Sequence, residues 1–253
     1  MTVSFIPGAE AWSHTTTGAR GALVIHGFTG NPGSMRGLAE AFAGADYHVE
    51  LPRLPGHGTT VEDMLTTGWA DWSNEVEAAY QRLVARCTSV VVAGLSMGGL
   101  LTLWAATQHP EIAGIVCINP VTQPQPPEVM DMLQGMIDGG TVIMPGIGSD
   151  IADPDVHESA YEGTPLPCLL NMLTQGAAVV APHYHSLRMP MLLMNSPQDH
   201  VVEPAQAEFL AHAYGGPLER ITLERSFHVA TQDYDKELIN IEAVKFANRV
   251  TAL

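Results

Sequence analysis

Ser89-Val-Val-Val-Ala93 runs directly into Gly94-Leu-Ser-Met-Gly98, and Leu100-Leu-Thr-Leu-Trp-Ala-Ala-Thr-Gln108 follows. Three β-branched valines favour an extended strand, and the leucines and alanines after Gly99 favour a helix. The residues between must turn the chain through a sharp corner. Glycines flank Ser96 there because any Cβ beside it would collide across the tight turn. A G-x-S-x-G pattern between a strand and a helix holds its serine on a strained elbow, with Oγ exposed above the sheet. The N–H of Met97 then lies at a helix N-terminus, where partial positive charge favours an oxyanion. The bland alternative is a structural serine in a Gly-rich turn, and the strand and helix flanks argue against it.

Around this motif, Cys87 to Pro110 carries no Asp, Glu, Lys or Arg and so imitates a membrane span. Gly94, Gly98 and Gly99 interrupt it, and valines crowd only its first part. A strand, a turn and a buried helix therefore explain it better than one spanning helix. The segment Met1-Thr-Val-Ser-Phe-Ile-Pro7 has no basic region and no long apolar stretch, so no signal peptide is expected and the cytoplasm is the expected compartment. The three cysteines, Cys87, Cys117 and Cys168, are widely spaced with no C-x-x-C, which predicts neither a disulfide framework nor a zinc site. Over 253 residues, 11 Lys+Arg stand against 27 Asp+Glu, a formal charge of −16. Such a chain repels phosphate backbones and anionic surfaces, so no nucleic-acid partner and no stable membrane insertion are expected. With 46% hydrophobic and 15% charged residues, disorder, coiled coil and fibre are excluded.

Elsewhere, short apolar runs alternate with longer amphipathic segments, the pattern of a mostly parallel sheet flanked by helices, an α/β class. Strands are predicted at Ala22–Ile25, Tyr47–Leu51, Ser89–Ala93, Gly114–Ile118, Met191–Met194 and Ile221–Leu223. Helices are predicted at about 34–44, 69–86, 97–108, 203–213 and 235–250. Residues 121–189 break the rhythm: these 69 residues hold 8 of the 18 prolines, 6 of the 12 methionines, eight acids and one base, Arg188. Long structureless loops are uncommon inside compact domains. The stretch is therefore predicted to be a small cap inserted into a core of residues 1–120 and 190–253, with adaptable methionines lining an apolar pocket. Met130, Met132, Leu133 and Met136, at near-helical intervals, are the candidate lining, with plain core as the other reading.

A serine hydroxyl needs a base at neutral pH. Of eleven histidines, His26 and His57 lie in His-Gly turns and read as structural. His157, His183 and His185 fall in the insertion, where a mobile base is poorly oriented. His200 adjoins a carboxylate that itself needs explaining. His228 leads, because it follows the last predicted strand, and open parallel sheets place sites at the carboxyl ends of their strands. For the orienting carboxylate Asp199 fits, in the Pro197-Gln-Asp199 turn leaving a strand, with Asp233 and Glu203 as runners-up. A second oxyanion donor is expected after the first strand, and the Phe28 N–H is the candidate.

Taken in order, His26-Gly-Phe-Thr-Gly30, Pro52-Arg-Leu-Pro-Gly-His-Gly58, Gly94-Leu-Ser-Met-Gly98, Pro197-Gln-Asp199 and His228 resemble the α/β-hydrolase superfamily. Within it the chain is most similar to small bacterial carboxylesterases and monoacylglycerol lipases. The resemblance implies a Ser96, Asp199 and His228 triad, an oxyanion hole of the Phe28 and Met97 N–H groups, and a cap after the strand ending near Ile118. It implies cleavage of carboxylic esters, small or lipid-like, through an acyl-enzyme, a chemistry that calls for no cofactor and no metal, and the eight acids against one base in 121–189 favour neutral over anionic substrates. A thioesterase, acyltransferase or carbon–carbon hydrolase would keep the same triad. A non-catalytic ligand receptor on the same fold is the reading from another class, and intact candidates at all three triad positions argue against it.

Overall fold

A computed structural model describes residues 5–146 and 148–252. In chain order the first half holds β1 (Trp12–His14), β2 (Arg20–Ile25), α1 (Arg36–Gly44), β3 (His48–Leu51), α2 (Val61–Met64), α3 (Trp69–Val84), β4 (Ser89–Leu95), α4 (Met97–Gln108) and β5 (Gly114–Ile118). Then come α5 (Pro127–Asp138), β6 (Ile143–Pro145), β7 (Gly163–Pro165) and α6 (Leu166–Asn171). A π-helical turn at Met172–Ala177, α7 (Ala178–Val180) and a 3-10 turn at Ala181–Ser186 continue the path. The chain closes with β8 (Met191–Asn195), α8 (Ala205–Ala213), β9 (Leu218–Thr222) and α9 (Lys236–Val250).

Seven strands form one sheet in the order β1-β3-β2-β4-β5-β8-β9, and only β1 runs antiparallel to its neighbour. The alternation of side chains along each strand divides the core in two. Leu23, Ile25, Val90, Val92, Ile115, Cys117, Met191 and Leu193 pack with Trp69, Trp72 and Leu100 from α3 and α4. Ala22, Val24, Val91, Ala93, Val116, Ile118, Leu192 and Met194 pack on the other face with Phe42 of α1 and Phe246 of α9. Both faces of the central strands are covered, which is why they read as continuous apolar runs. Cys87, Cys117 and Cys168 are free and buried.

The predicted strand Ile221–Leu223 lies instead at Leu218–Thr222. It is an edge strand paired only with β8, and its Glu219 and Arg220 are exposed, so the apolar signal marks only its end. The predicted helix at 203–213 begins at Ala205. Short β1, α2, β6 and β7 and the helical run 166–186 were not predicted. All six parallel strands point the same way, so their carboxyl ends line one rim of the sheet. The segment between β5 and β8 rises from that rim, contributing the β6–β7 ribbon and α5 packed against α6.

Candidate active site

Ser96 is the residue between β4 and α4, at φ 58°, ψ −119°, a conformation that a residue with a Cβ adopts only under strain. Its carbonyl accepts the N–H groups of Gly99, Leu100 and Val121, and its own N–H donates to Ile118 O. The surrounding structure thus holds the corner at both ends. Ser96 is buried beneath a cavity of about 350 Å³ that Phe28 and His228 also line. Gly27 backs onto it: a methyl at that position would stand 3.3 Å from Ser96 Cβ. Among the described residues the N–H groups of Phe28 and Met97 have no hydrogen-bond partner. Main-chain N–H groups are rarely left so in the interior; Met97 follows the serine in the chain, and Phe28 follows Gly27, which packs on it.

His228 Nδ1 bonds Asp199 Oδ2 at 2.7 Å, and both side chains are buried. Asp199 Oδ1 accepts the N–H groups of Val201 and Val202, each at 2.8 Å, so both carboxylate oxygens are held. The runners-up do other work. Asp233 accepts the N–H groups of Phe227 and Ala152 on one oxygen and of Asp153 on the other. Glu203 lies just before α8, away from the cavity.

Several residues that organise this rim went unnoticed in the sequence. Asn119, just past β5 at φ 42°, donates through Nδ2 to His228 O (2.8 Å) and Ser196 Oγ (3.1 Å) and accepts from Ser196 N (2.8 Å). Ser196 Oγ donates to Phe227 O. One amide thereby ties the end of β5 to the loops after β8 and β9, which carry Asp199 and His228. A lone Asn after a buried strand gives no pattern by which to find it. Asp150, in the segment between β5 and β8, accepts the N–H of His228 itself.

His26 and His57 sit, as expected, in the scaffold. His26 Nε2 accepts the Leu54 N–H, so its Nδ1–H faces Gly27 O, and the ring pins the turn that presents Phe28. His57 Nδ1 donates to Pro55 O, and its ring meets those of Phe28 and Trp72 edge-on. Burial drives both imidazoles towards the neutral form, His26 well below its usual range and His57 to about 4. Between pH 6.5 and 4 the unfolded chain therefore binds a proton at His57 that the folded chain refuses. Stability should fall as the pH is lowered through that window, by about 3 kcal/mol. In His57→Asn, whose amide can keep the bond to Pro55 O, urea denaturation should show that acid loss markedly reduced. A variant with the wild-type slope against pH would disprove the assignment.

The cavity wall is apolar, built by Val129 and Leu133 of α5, Leu169 of α6, and Met172 and Leu173 of the π-helical turn. This corrects the expected lining. Leu133 faces the cavity, but Met132 is 57% exposed and lies outside the lining, and Met130 and Met136 pack on the core without reaching the cavity. The methionine spacing follows a helix, but the helix lies with its Val129–Leu133 edge inward. Two carboxyl groups, Asp150 and Glu158, also line the cavity. Burial pushes Glu158 up to about 7, an effect that the neighbouring His228 only partly offsets. Among the described residues no group of three or more His, Cys, Asp and Glu is arranged to hold a metal ion, and no helix is long and apolar enough to cross a membrane.

The profile of the Alpha/beta hydrolase family matches residues 22–240. The chain is 43% identical over 244 residues to a thermostable monoacylglycerol lipase of Bacillus sp. (strain H-257), covering 95% of each chain. It is 26% identical to a carboxylesterase of Bacillus subtilis (strain 168), over 92% of this chain and 94% of that one. A solved structure from work on LipS and LipT, two metagenome-derived lipolytic enzymes, superposes with a TM-score of 0.91 at 42% identity, covering 97% of this chain and all of that one.

Proposed function

Since the chain belongs to the alpha/beta hydrolase family, we propose that it is a serine hydrolase of neutral carboxylic esters, short- to medium-chain acyl esters or monoacylglycerols. The observation that carries this reading is the buried 2.7 Å bond between Asp199 and His228 beside the apolar cavity that Ser96 also lines. In the proposed reaction His228 Nε2 takes the proton from Ser96 Oγ as the oxygen attacks the acyl carbonyl. Asp199 holds the ring with Nδ1–H towards it and stabilises the imidazolium that forms. The Phe28 and Met97 N–H groups, already unpartnered, receive the oxyanion with no rearrangement. The imidazolium then protonates the leaving alcohol, and a water activated by the same ring cleaves the acyl-enzyme. Residues 121–189 act as the cap, with the acyl chain lying along Val129, Leu133, Leu169, Met172 and Leu173. The similarity to a protein named monoacylglycerol lipase supports a lipid-like ester over other acyl compounds.

Esters of graded chain length test this reading. From acetyl upward, kcat/KM should rise until the cavity is filled, by about 0.8 kcal/mol or fourfold for each methylene buried. A flat series for both p-nitrophenyl esters and monoacylglycerols would reject the acyl assignment of the cavity. The substrate's charge is tested separately. Asp150 lines the cavity under a net charge of −16, which disfavours an anionic substrate. At low salt and equal acyl length, a neutral ester should therefore exceed an acyl-CoA in kcat/KM. The reverse order would point to a thioesterase with the same triad.

A further inference from the structure

We propose that Asp150, which stands outside the proposed triad in the segment between β5 and β8, is a positioning residue for the reaction. It fixes the main chain of the loops that carry His228 and Asp199, and so sets the aim of the imidazole. The inference rests on reading Ser96, Asp199 and His228 as the catalytic groups.

Asp150 is 8% exposed. Its Oδ2 accepts two main-chain N–H groups, that of His228 at 3.0 Å and that of His200 at 3.1 Å. Its Oδ1 meets the ring Nδ1 of His200 at 2.8 Å, and its carbonyl accepts the Val229 N–H at 3.1 Å. His200 follows Asp199 directly in the chain. One oxygen atom is thus bonded to the peptide of the proposed base and to the peptide next to the proposed acid. These residues belong to loops after β8 and β9, while the carboxylate comes from neither.

The attachment is reciprocated. Asp233, in the stretch before α9, accepts Phe227 N at 2.9 Å and reaches out to Ala152 N at 2.7 Å and Asp153 N at 3.1 Å. Two buried carboxylates therefore cross-link residues 150–153 with residues 227–233, each holding main-chain donors on the other's segment. Hydrogen bonds to carboxylates are among the stronger ones in proteins, and a side chain carried on this peptide has little freedom to drift. The consequence is kinetic: an imidazole displaced by about 1 Å from the serine costs about 10²-fold in rate.

The test compares wild type with Asp150→Ala and Asp150→Asn on p-nitrophenyl acetate, which needs little of the acyl cavity. Active sites are counted by fluorophosphonate titration, so that loss of folded protein does not enter kcat. Asp150→Ala should lose about 10²-fold in kcat with KM within about twofold, and fluorophosphonate labelling should slow by the same factor. Asp150→Asn keeps an oxygen able to accept both N–H groups and should recover to within about tenfold of wild type. A purely architectural role would lower the melting temperature and the titratable fraction while leaving kcat per site and the labelling rate alone. That result would overturn the proposal, as would a folded Asp150→Asn no better than Asp150→Ala. Should Asp150→Ala fail to fold, Asp150→Ser, whose oxygen stands one bond shorter, carries the same expectation. His228→Ala is measured in parallel. If it is inactive while Asp150→Ala turns over normally, the positioning role alone falls. If His228→Ala keeps its activity, the triad reading falls.

Discussion

Ser96→Ala should fold normally yet lose about 10⁴-fold or more in kcat, and a serine-directed fluorophosphonate should no longer label the protein. The side chain removed is one oxygen with no hydrogen-bond partner among the described residues, so the core has nothing to lose by its departure. In the proposed reaction, what is lost is the attacking atom. Asp199→Asn and His228→Ala should each cost at least about 10³-fold, because the alcohol is a weak nucleophile without a correctly oriented base. The three should also fail together. In the double variant Ser96→Ala/His228→Ala, the further loss should be small, since groups that act as a unit are strongly non-additive. Undiminished labelling of Ser96→Ala would place the nucleophile elsewhere. A multiplicative double variant would show that the two residues do not belong to one machine.

The largest effect on stability is expected at the same corner. A methyl on Gly98 would stand 2.7 Å from His26 O and closer still to Ile25 O, both of them main chain at the end of β2. A methyl on Gly94 would stand 2.7 Å from Gly99 N and press on the Gly98 carbonyl. Neither obstacle is the end of a flexible side chain, so relief requires moving a central strand or the helix it abuts. Overpacking of ordinary cores costs about 1–3 kcal/mol, and a clash against immobile backbone in the middle of a sheet belongs to the rarer tail above about 4 kcal/mol. Gly98→Ala should therefore be recovered largely unfolded or insoluble, whereas Gly135→Ala, where nothing lies within 4 Å, should be close to neutral. A soluble Gly98→Ala with wild-type urea midpoint would mean that the corner is looser than its packing indicates.

The parts of this molecule legible in its sequence are those in which each residue acts through its nearest neighbours in the chain. The central strands β2, β4, β5 and β8 are buried on both faces and write themselves as apolar runs, and α3 shows its stripe in Trp72, Val76, Ala79 and Leu83. The elbow at Ser96 is legible in its G-x-S-x-G spacing: Gly94 answers to Gly98 and Gly99 a few residues on, although Gly98 answers to Ile25 and His26 at the end of β2. At the edges of the sheet the signal fails: β9 exposes Glu219 and Arg220, and β1 spans only three residues. Around the site, the proposed acid and base could be ranked because strand ends precede them. Asn119, Ser196 and Asp150 could not, and Asp233 could be reached only as a runner-up for the acid, since their work is to accept or donate main-chain hydrogen bonds across separations such as the 109 residues between Asn119 and His228. The orientation of α5 was also beyond reach. Spacing states that a face exists, but which edge of it turns to the cavity depends on what α6 presents from the other side.

The two ends of the segment that crowns the sheet are rooted on neighbouring parallel strands: it leaves β5 at Ile118 and joins β8 at Met191, the partner of Ile115. Parallel neighbours need a crossover, so whatever is spliced between them must leave at the carboxyl rim of the sheet and carry the chain back to its other end. The sheet's hydrogen-bond ladder does not register how long the detour is or how it folds. Lineages and protein engineers alike can therefore trade one crown for another to suit a new acyl group without recutting the scaffold. The part of the graft that is not free is its short stretch around Asp150, where the newcomer must still offer an oxygen to the peptide of His228.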